Sequence, residues 1–204
     1  MCADRVRERV NESPSRALTG SLKRVVLAGG AVLGLCQTYA VPLRLNRGPE
    51  GRWWESLRRI VAGTAARVDP QAGPREVAHG EYAGVFPASL AETEATLYGA
   101  GFLRNPTARL KTRDGAPEDG SWVSRETPLA PRQLHLMLFE RSDGDTDVYA
   151  HEELSSVNPL CAMAHFTGDG QCVADGVFRA RERFDLDTAD APADPPDGPW
   201  NAED

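Results

Sequence analysis

The balance of charge along this chain changes sign near residue 75, and that change most constrains how the chain can fold. Residues 1–75 carry 13 Lys and Arg against 6 Asp and Glu, whereas residues 76–204 carry 10 against 24. The net charges of the two parts are therefore +7 and −14, within a total of −7. Because a basic segment is attracted to anionic surfaces that repel an acidic one, we expect two parts with different surroundings.

Length and composition set the domain organisation. A chain of 204 residues with 41% hydrophobic and 26% charged residues can build one domain of about 110 residues and a smaller helical region. We predict a basic helical N-terminal region over 1–75, an α+β sheet domain over 76–186 and an acidic disordered tail over 187–204. The 21 Arg against 2 Lys are typical of salt-adapted or GC-rich organisms. The acidic balance of the second part disfavours nucleic acid as a partner.

The four cysteines are Cys2, Cys36, Cys161 and Cys172. They show neither a C-x-x-C pair nor the spacing of a zinc site. We therefore expect reduced thiols and a cytoplasmic protein.

Segment 25–43 contains 19 residues without a formal charge, about the length that crosses a bilayer. Gln37, Pro42 and several glycines leave it only moderately hydrophobic. Three interpretations stay open: a buried helix, a membrane span or interfacial helix, and a secretory signal.

A helix is predicted directly after Gly51. Apolar residues recur at helical spacing and define one face: Trp53, Leu57, Ile60, Val61 and Val68. The other face is basic and contains Arg52, Glu55, Arg58, Arg59 and Arg67. The pattern fits a helix that packs by Trp53 and exposes its arginines to solvent, or one that lies at an anionic membrane surface.

The pattern of residues 76–186 predicts strands at 79–86, 121–124, 133–141 and 145–152, and helices at 90–98 and 171–184. Ser89 and Glu92 form a capping box before the first helix, and Ser142-Asp143-Gly144 marks a hairpin. Two Asn-Pro pairs suggest short helices at 107–111 and 160–166, but the first segment could equally extend a strand that begins at Phe102. The order β-α-β-β-β-α predicts an α+β fold, in which an N-terminal helical segment precedes a mainly antiparallel sheet packed on helices.

The hairpin also carries the main candidate site, with His135 on its first strand and His151, Glu152 and Glu153 on its second. A two-residue turn at 143–144 would place His135 opposite Glu152. A three-residue loop at 142–144 with a left-handed Gly144 would place His135 opposite His151 instead.

Imidazole and carboxylate are ligands that divalent transition metals accept. The sequence therefore offers a metal set of His135, His151 and Glu152, which His165 would complete if its short helix folds back. Separately, Trp122, Arg125 and Arg132 lie where they could line an anion pocket beside the sheet.

Neither a G-x-S-x-G element nor a phosphate-binding loop occurs in the chain. The main hypothesis is a cytoplasmic α+β binding module without a cofactor and not an enzyme. Its basic N-terminal helices would associate with the inner membrane face or with a protein partner. The alternative hypothesis is a small metal-assisted hydrolase that uses the His/Glu site of the hairpin.

Overall fold

The computed structural model of the chain describes residues 53–68, 73–105, 108–158, 160–161, 164–165 and 168–189. Segment 25–43 lies outside these residues, so its three interpretations stay predictions. Within the described residues, no helix has both the length and the hydropathy to span a bilayer.

Three helices and eight strands make up the described part of the fold. In chain order they are α1 (Trp53–Val68), β1 (Arg75–Glu76), β2 (Tyr82–Phe86), α2 (Leu90–Gly99), β3 (Leu103–Arg104), β4 (Lys111–Arg113), β5 (Ala116–Pro117), β6 (Gly120–Ser124), β7 (Arg132–Glu140), β8 (Thr146–Leu154) and α3 (Val173–Arg183). A single 3-10 turn, His79–Glu81, precedes β2.

Five strands form the main sheet, in the order β2-β8-β7-β6-β3, and each neighbouring pair in it is antiparallel. The predicted α+β class and its mainly antiparallel sheet are confirmed. A second sheet, β1-β4-β5, combines one parallel and one antiparallel pairing and was not predicted.

The two faces of the main sheet differ in chemistry. One face is apolar and packs against α2 and α3. Its core includes Trp122, Leu134, Leu136, Leu138, Val148 and Ala150, together with Leu97 of α2 and Ala180 of α3. The other face is also buried but carries polar side chains, among them Ser121, Gln133, His135, His151 and Glu153. Since burying polar groups is costly unless they are paired, that face is where a functional site is expected.

The predicted capping box begins α2. The backbone N–H of Glu92 donates to Ser89 Oγ at 3.4 Å, and the backbone N–H of Ser89 donates to Glu92 Oε2 at 3.1 Å. Two otherwise unsatisfied N–H groups thereby gain partners, so the helix starts where the sequence indicated.

The face assignment predicted for α1 is wrong for Glu55, Arg58 and Ile60, whereas Arg59 and Arg67 are exposed as predicted. Arg58 is 1% exposed, and its Nη1 lies 2.6 Å from Glu118 Oε1, whereas Ile60 is 65% exposed. Glu55 is also buried, with Oε1 3.5 Å from Arg104 Nη1. Glu118 and Arg104 are buried charges that need partners of opposite sign, and Arg58 and Glu55 supply them. This pairing places the two residues on the buried side of α1, which the apolar periodicity did not predict.

Three further boundaries differ from the prediction. Residues 108–110 are not helical, and Lys111 begins β4 instead of ending a helix, because it pairs with β1. Residues 79–81 form the 3-10 turn rather than the start of a strand. The predicted disordered tail begins with an ordered contact, in which the N–H of Val85 donates to Asp187 O at 2.7 Å.

Cys161 is a free thiol, but Cys172 is disulfide-bonded. The expectation of reduced thiols is therefore wrong for Cys172. Its backbone also forms an antiparallel bridge with Glu152, which ties the residue before α3 to the C-terminal part of β8.

Candidate metal centre

The register of the β7–β8 hairpin decides which side chains meet. The N–H of Arg141 donates to Asp145 O at 2.9 Å, and Gly144 has a φ of 95°, which is the left-handed region. This is the three-residue loop, the second of the two predicted alternatives. His135 consequently lies opposite His151, and Gln133 lies opposite Glu153.

Strand alternation then sorts these residues by face. His151 and Glu153 are two positions apart, so their side chains project from the same face as His135 and Gln133. Glu152 projects from the opposite face. The three ligand candidates His135, His151 and Glu153 are 2%, 0% and 4% exposed, so the cluster that they form is shielded from bulk water.

The metal-binding atoms of these three residues converge. His135 Nδ1 lies 3.2 Å from His151 Nε2 and 3.4 Å from Glu153 Oε1, and His151 Nε2 lies 3.3 Å from Glu153 Oε2. Zinc holds nitrogen and oxygen ligands at about 2.0–2.2 Å, which in a tetrahedron separates the ligand atoms by about 3.3–3.5 Å. The two histidine nitrogens are close to that separation, and one ligand atom from each of the three residues lies within 4.8 Å of the others, so the three residues could hold an ion between them.

Each histidine is also held at its outer nitrogen, and Glu153 is held at the oxygen that faces His135. His135 Nε2 lies 2.7 Å from Ser121 Oγ, and His151 Nδ1 lies 2.7 Å from Glu81 Oε1. Gln133 Nε2 donates to Glu153 Oε1 at 2.6 Å. Such outer contacts fix the ring orientation of metal-binding histidines and select which nitrogen is free to bind.

The donors and acceptors of the centre limit where its protons lie. Since the ionised carboxylate of Glu81 only accepts, His151 donates to it from Nδ1, which leaves Nε2 directed at the centre. Because the Ser121 hydroxyl can donate to Nε2 of His135, a neutral His135 can carry its proton on Nδ1, between His151 and Glu153. With the other tautomer of His135, a further proton or a metal ion lies among the three groups.

The pKa shifts describe the state in which a proton fills that role. Burial lowers the pKa of His135 to about 3, so its imidazole is neutral. Burial also lowers the pKa of His151, but its hydrogen bonds to Glu153 and Glu81 outweigh this effect and raise it overall. Although burial raises the pKa of Glu81, the contact with His151 holds it at about 2. Without a metal, the raised pKa of His151 favours its protonated form between two carboxylates.

Lys111 and His165 complete the surroundings of the cluster. Lys111 Nζ lies 3.0 Å from Glu81 Oε1 and shares that carboxylate with His151. His165 Nδ1 lies 2.9 Å from the carbonyl oxygen of Leu154 and 3.4 Å from Glu153 Oε2. That nitrogen is therefore engaged by the carbonyl, and His165 contacts Glu153 rather than completing the three-atom convergence.

The other residues predicted for a site lie elsewhere. Glu152 Oε1 is 3.3 Å from Arg132 Nε and 3.0 Å from Arg179 Nη1, on the face that α3 covers. Trp122 is fully buried in the apolar core, where its Nε1 lies 3.4 Å from Glu94. Arg125 lies at the edge of the polar face and contacts Gln133. The structure thus places His135 and His151 together in the cluster, whereas Glu152 and Trp122 lie outside it.

The sequence analysis named Glu153 in the candidate site but chose Glu152 for the metal set, and it did not name Glu81, Ser121 or Gln133 for this site. A usable signal existed for Glu153, because residues 151 and 153 share a face of any strand whereas 151 and 152 never do. Gln133 could have been placed by the same alternation. Glu81 reaches the site from a 3-10 turn 70 residues earlier in the chain, which no local pattern indicates.

Comparison with known proteins adds no relationship to this geometry: no family model matches the chain, and no match is found among curated proteins or solved structures.

Proposed function

We propose that this protein binds one divalent transition-metal ion through His135, His151 and Glu153 and uses it for metal-assisted hydrolysis. The observation that carries this proposal is the meeting of His135 Nδ1, His151 Nε2 and the Glu153 carboxylate. The two nitrogens lie 3.2 Å apart, and the two carboxylate oxygens lie 3.4 Å and 3.3 Å from them. A hydrogen-bonded histidine pair alone does not require a carboxylate at equal distance from both rings.

The number of ligands supports a catalytic rather than a structural ion. Structural zinc sites use four protein ligands, whereas catalytic ones use three and keep the fourth position for water or substrate. Two histidines and one glutamate are one such catalytic set. A metal in this position lowers the pKa of bound water and polarises a carbonyl or phosphoryl oxygen. The same donors also suit ferrous iron, so the metal itself must be measured.

Metal titration of the full-length protein tests the proposal. After treatment with a chelator, we expect one equivalent of Zn²⁺ or Co²⁺ to bind, with the intense visible absorption of four-coordinate Co²⁺. His151→Gln and Glu153→Gln should each weaken the affinity by about 100-fold or more, since each removes one of only three ligands.

Glu152→Gln is the matched control, because it changes the adjacent carboxylate on the opposite face. We expect it to bind metal with wild-type stoichiometry and an affinity within about threefold. If the wild-type protein binds no metal at micromolar concentration, or if Glu152→Gln weakens binding as much as Glu153→Gln does, the proposal is wrong.

A second candidate is the binding module that the charge split suggested. Supporting it, the exposed side of α1 carries Arg59 and Arg67 beside Ile60, which is 65% exposed. An apolar residue flanked by arginines suits an anionic lipid surface. Flotation of the full-length protein with anionic and with neutral vesicles tests this candidate, and equal recovery in both would reject it.

A further inference from the structure

Arg125 lies at the end of the main sheet, directly after β6. Its Nε donates to Gln133 Oε1 at 2.8 Å, and its Nη2 lies 3.3 Å from Ser156 Oγ. Both partners are neutral. Among the described residues, no carboxylate forms an ion pair with Arg125, so its charge is not compensated by direct contact.

Two fully buried arginines, Arg58 and Arg104, are each paired directly with a carboxylate. Arg58 is paired with Glu118 at 2.6 Å, and Arg104 is paired with Glu94 at 2.6 Å. Arg125 is partly buried, and burial lowers its pKa to about 10 against the opposing field of Glu153. A cation that is removed from water without a carboxylate gains from any anion that reaches it.

Arg125 is connected to the metal centre by two hydrogen bonds. Gln133 accepts from Arg125 through Oε1 and donates from Nε2 to Glu153 Oε1 at 2.6 Å. On the other side of the centre, Lys111 pairs with Glu81. The charge of Arg125 acts on Glu153 through space, so exchanging the proton of His151 for a divalent metal adds one positive charge that no further carboxylate of this network balances. A loaded centre therefore favours an anionic ligand.

Ser156 supplies the second group that an oxyanion needs. It is 2% exposed and its hydroxyl lies beside the guanidinium. Gln133 and Ser156 engage Nε and Nη2 of Arg125, which leaves Nη1 and the second Nη2 proton for an oxyanion. These donors and the Ser156 hydroxyl suit the oxygens of a carboxylate or phosphate.

We propose that Arg125 and Ser156 form an oxyanion-binding site next to the metal centre, which makes the substrate a small anionic ester or amide. That the bound anion is a substrate depends on the proposed hydrolase function. The binding site itself rests on the position of the uncompensated guanidinium and its hydroxyl partner. Carboxylate and phosphate share the required chemistry, and the test separates them.

Calorimetric titration of the full-length, zinc-loaded protein with inorganic phosphate and with acetate provides the test. We expect one of the two anions to bind with a dissociation constant in the millimolar range or below, and the preferred anion identifies the substrate group. Arg125→Gln should weaken that binding by at least tenfold, and Arg125→Lys should weaken it less because it keeps the charge but loses the fork.

Arg132→Gln is the control. Arg132 is also an arginine of the main sheet, at the start of β7, but its Nε already pairs with Glu152 Oε1 at 3.3 Å. It should leave anion binding unchanged. If wild-type protein binds zinc but neither anion, the oxyanion site is wrong while the metal proposal stands. If zinc does not bind but an anion binds through Arg125, the metal proposal fails and the substrate assignment falls with it. Loss of anion binding in Arg132→Gln alone would also overturn the assignment to Arg125.

Discussion

At the scale of single residues, the centre depends on which protons its partners hold. Glu81 is the outermost member, since it receives His151 and Lys111 on one carboxylate oxygen. These contacts outweigh its burial and keep its pKa near 2, well below the usual 4.5. A group whose folded-state pKa is depressed stabilises the fold above its unfolded pKa and loses that contribution as pH falls through the folded value.

Glu81→Gln should therefore destabilise the metal-free protein in a pH-dependent way. At pH 7 we expect a loss of about 3 kcal/mol, the equivalent of the pKa depression. The loss should shrink between pH 4.5 and pH 2, because the wild-type carboxylate becomes protonated there. Urea unfolding across this pH range measures the difference, and Glu152→Gln serves as the control. A deficit that stays constant down to pH 2 would contradict the assignment.

At the scale of elements, the hairpin shows what sequence reasoning can and cannot reach. The loop signal and strand alternation were sufficient to place His135 beside His151 once the three-residue loop was chosen over the two-residue turn. The same alternation points to Glu153 rather than Glu152. By contrast, two features depend on pairing between charges that are far apart in the chain: the contact of Glu81 with His151, and the burial of Arg58 against Glu118. No periodic pattern in the sequence indicates such pairs.

Helix α3 fits so closely against β8 that one glycine sets the distance. A Cβ at Gly176 would lie 2.2 Å from the Cα of His151 and 2.4 Å from the backbone nitrogen of Glu152. The obstacle is strand backbone and cannot rotate away. The helix therefore presses directly on the segment that carries two ligand candidates.

Gly176→Ala should cost about 3 kcal/mol of stability or more, because either the helix or the ligand strand must shift. Metal affinity should fall with it, as the His151–Glu153 spacing changes. Gly63→Ala in α1 is the matched control: nothing lies within 4 Å of its added methyl group, and the protein should gain about 0.5–1 kcal/mol. Urea unfolding and zinc titration measure both effects. Equal stability changes in the two variants would contradict this packing.

At the scale of the whole molecule, the two oppositely charged regions of the sequence are in contact over the residues described. Arg58 of the basic region neutralises Glu118 of the acidic domain, and Glu55 approaches Arg104 in return. The opposite charges of the two regions thus meet at a buried contact. We infer that α1 belongs to the fold of the sheet domain.

Arg58→Ala tests this integration. Removing the guanidinium leaves the fully buried Glu118 without its main partner, which should destabilise the protein by about 3–5 kcal/mol. Arg59→Ala changes the next residue, which is exposed, and should cost less than about 0.5 kcal/mol. Thermal unfolding of both variants provides the measurement. A similar small loss in both would show that α1 is an independent appendage.

The left-handed Gly144 has a consequence for how this chain can evolve. Its three-residue loop sets the parity of the hairpin, and an insertion or deletion of one residue there would turn His135 and His151 toward opposite sides of the sheet. Related proteins that retain the centre should therefore vary in the residues at positions 142 and 143, but they should keep three residues between the two strands. A descendant with a loop altered by one residue and both histidines preserved would argue that selection never acted on their meeting.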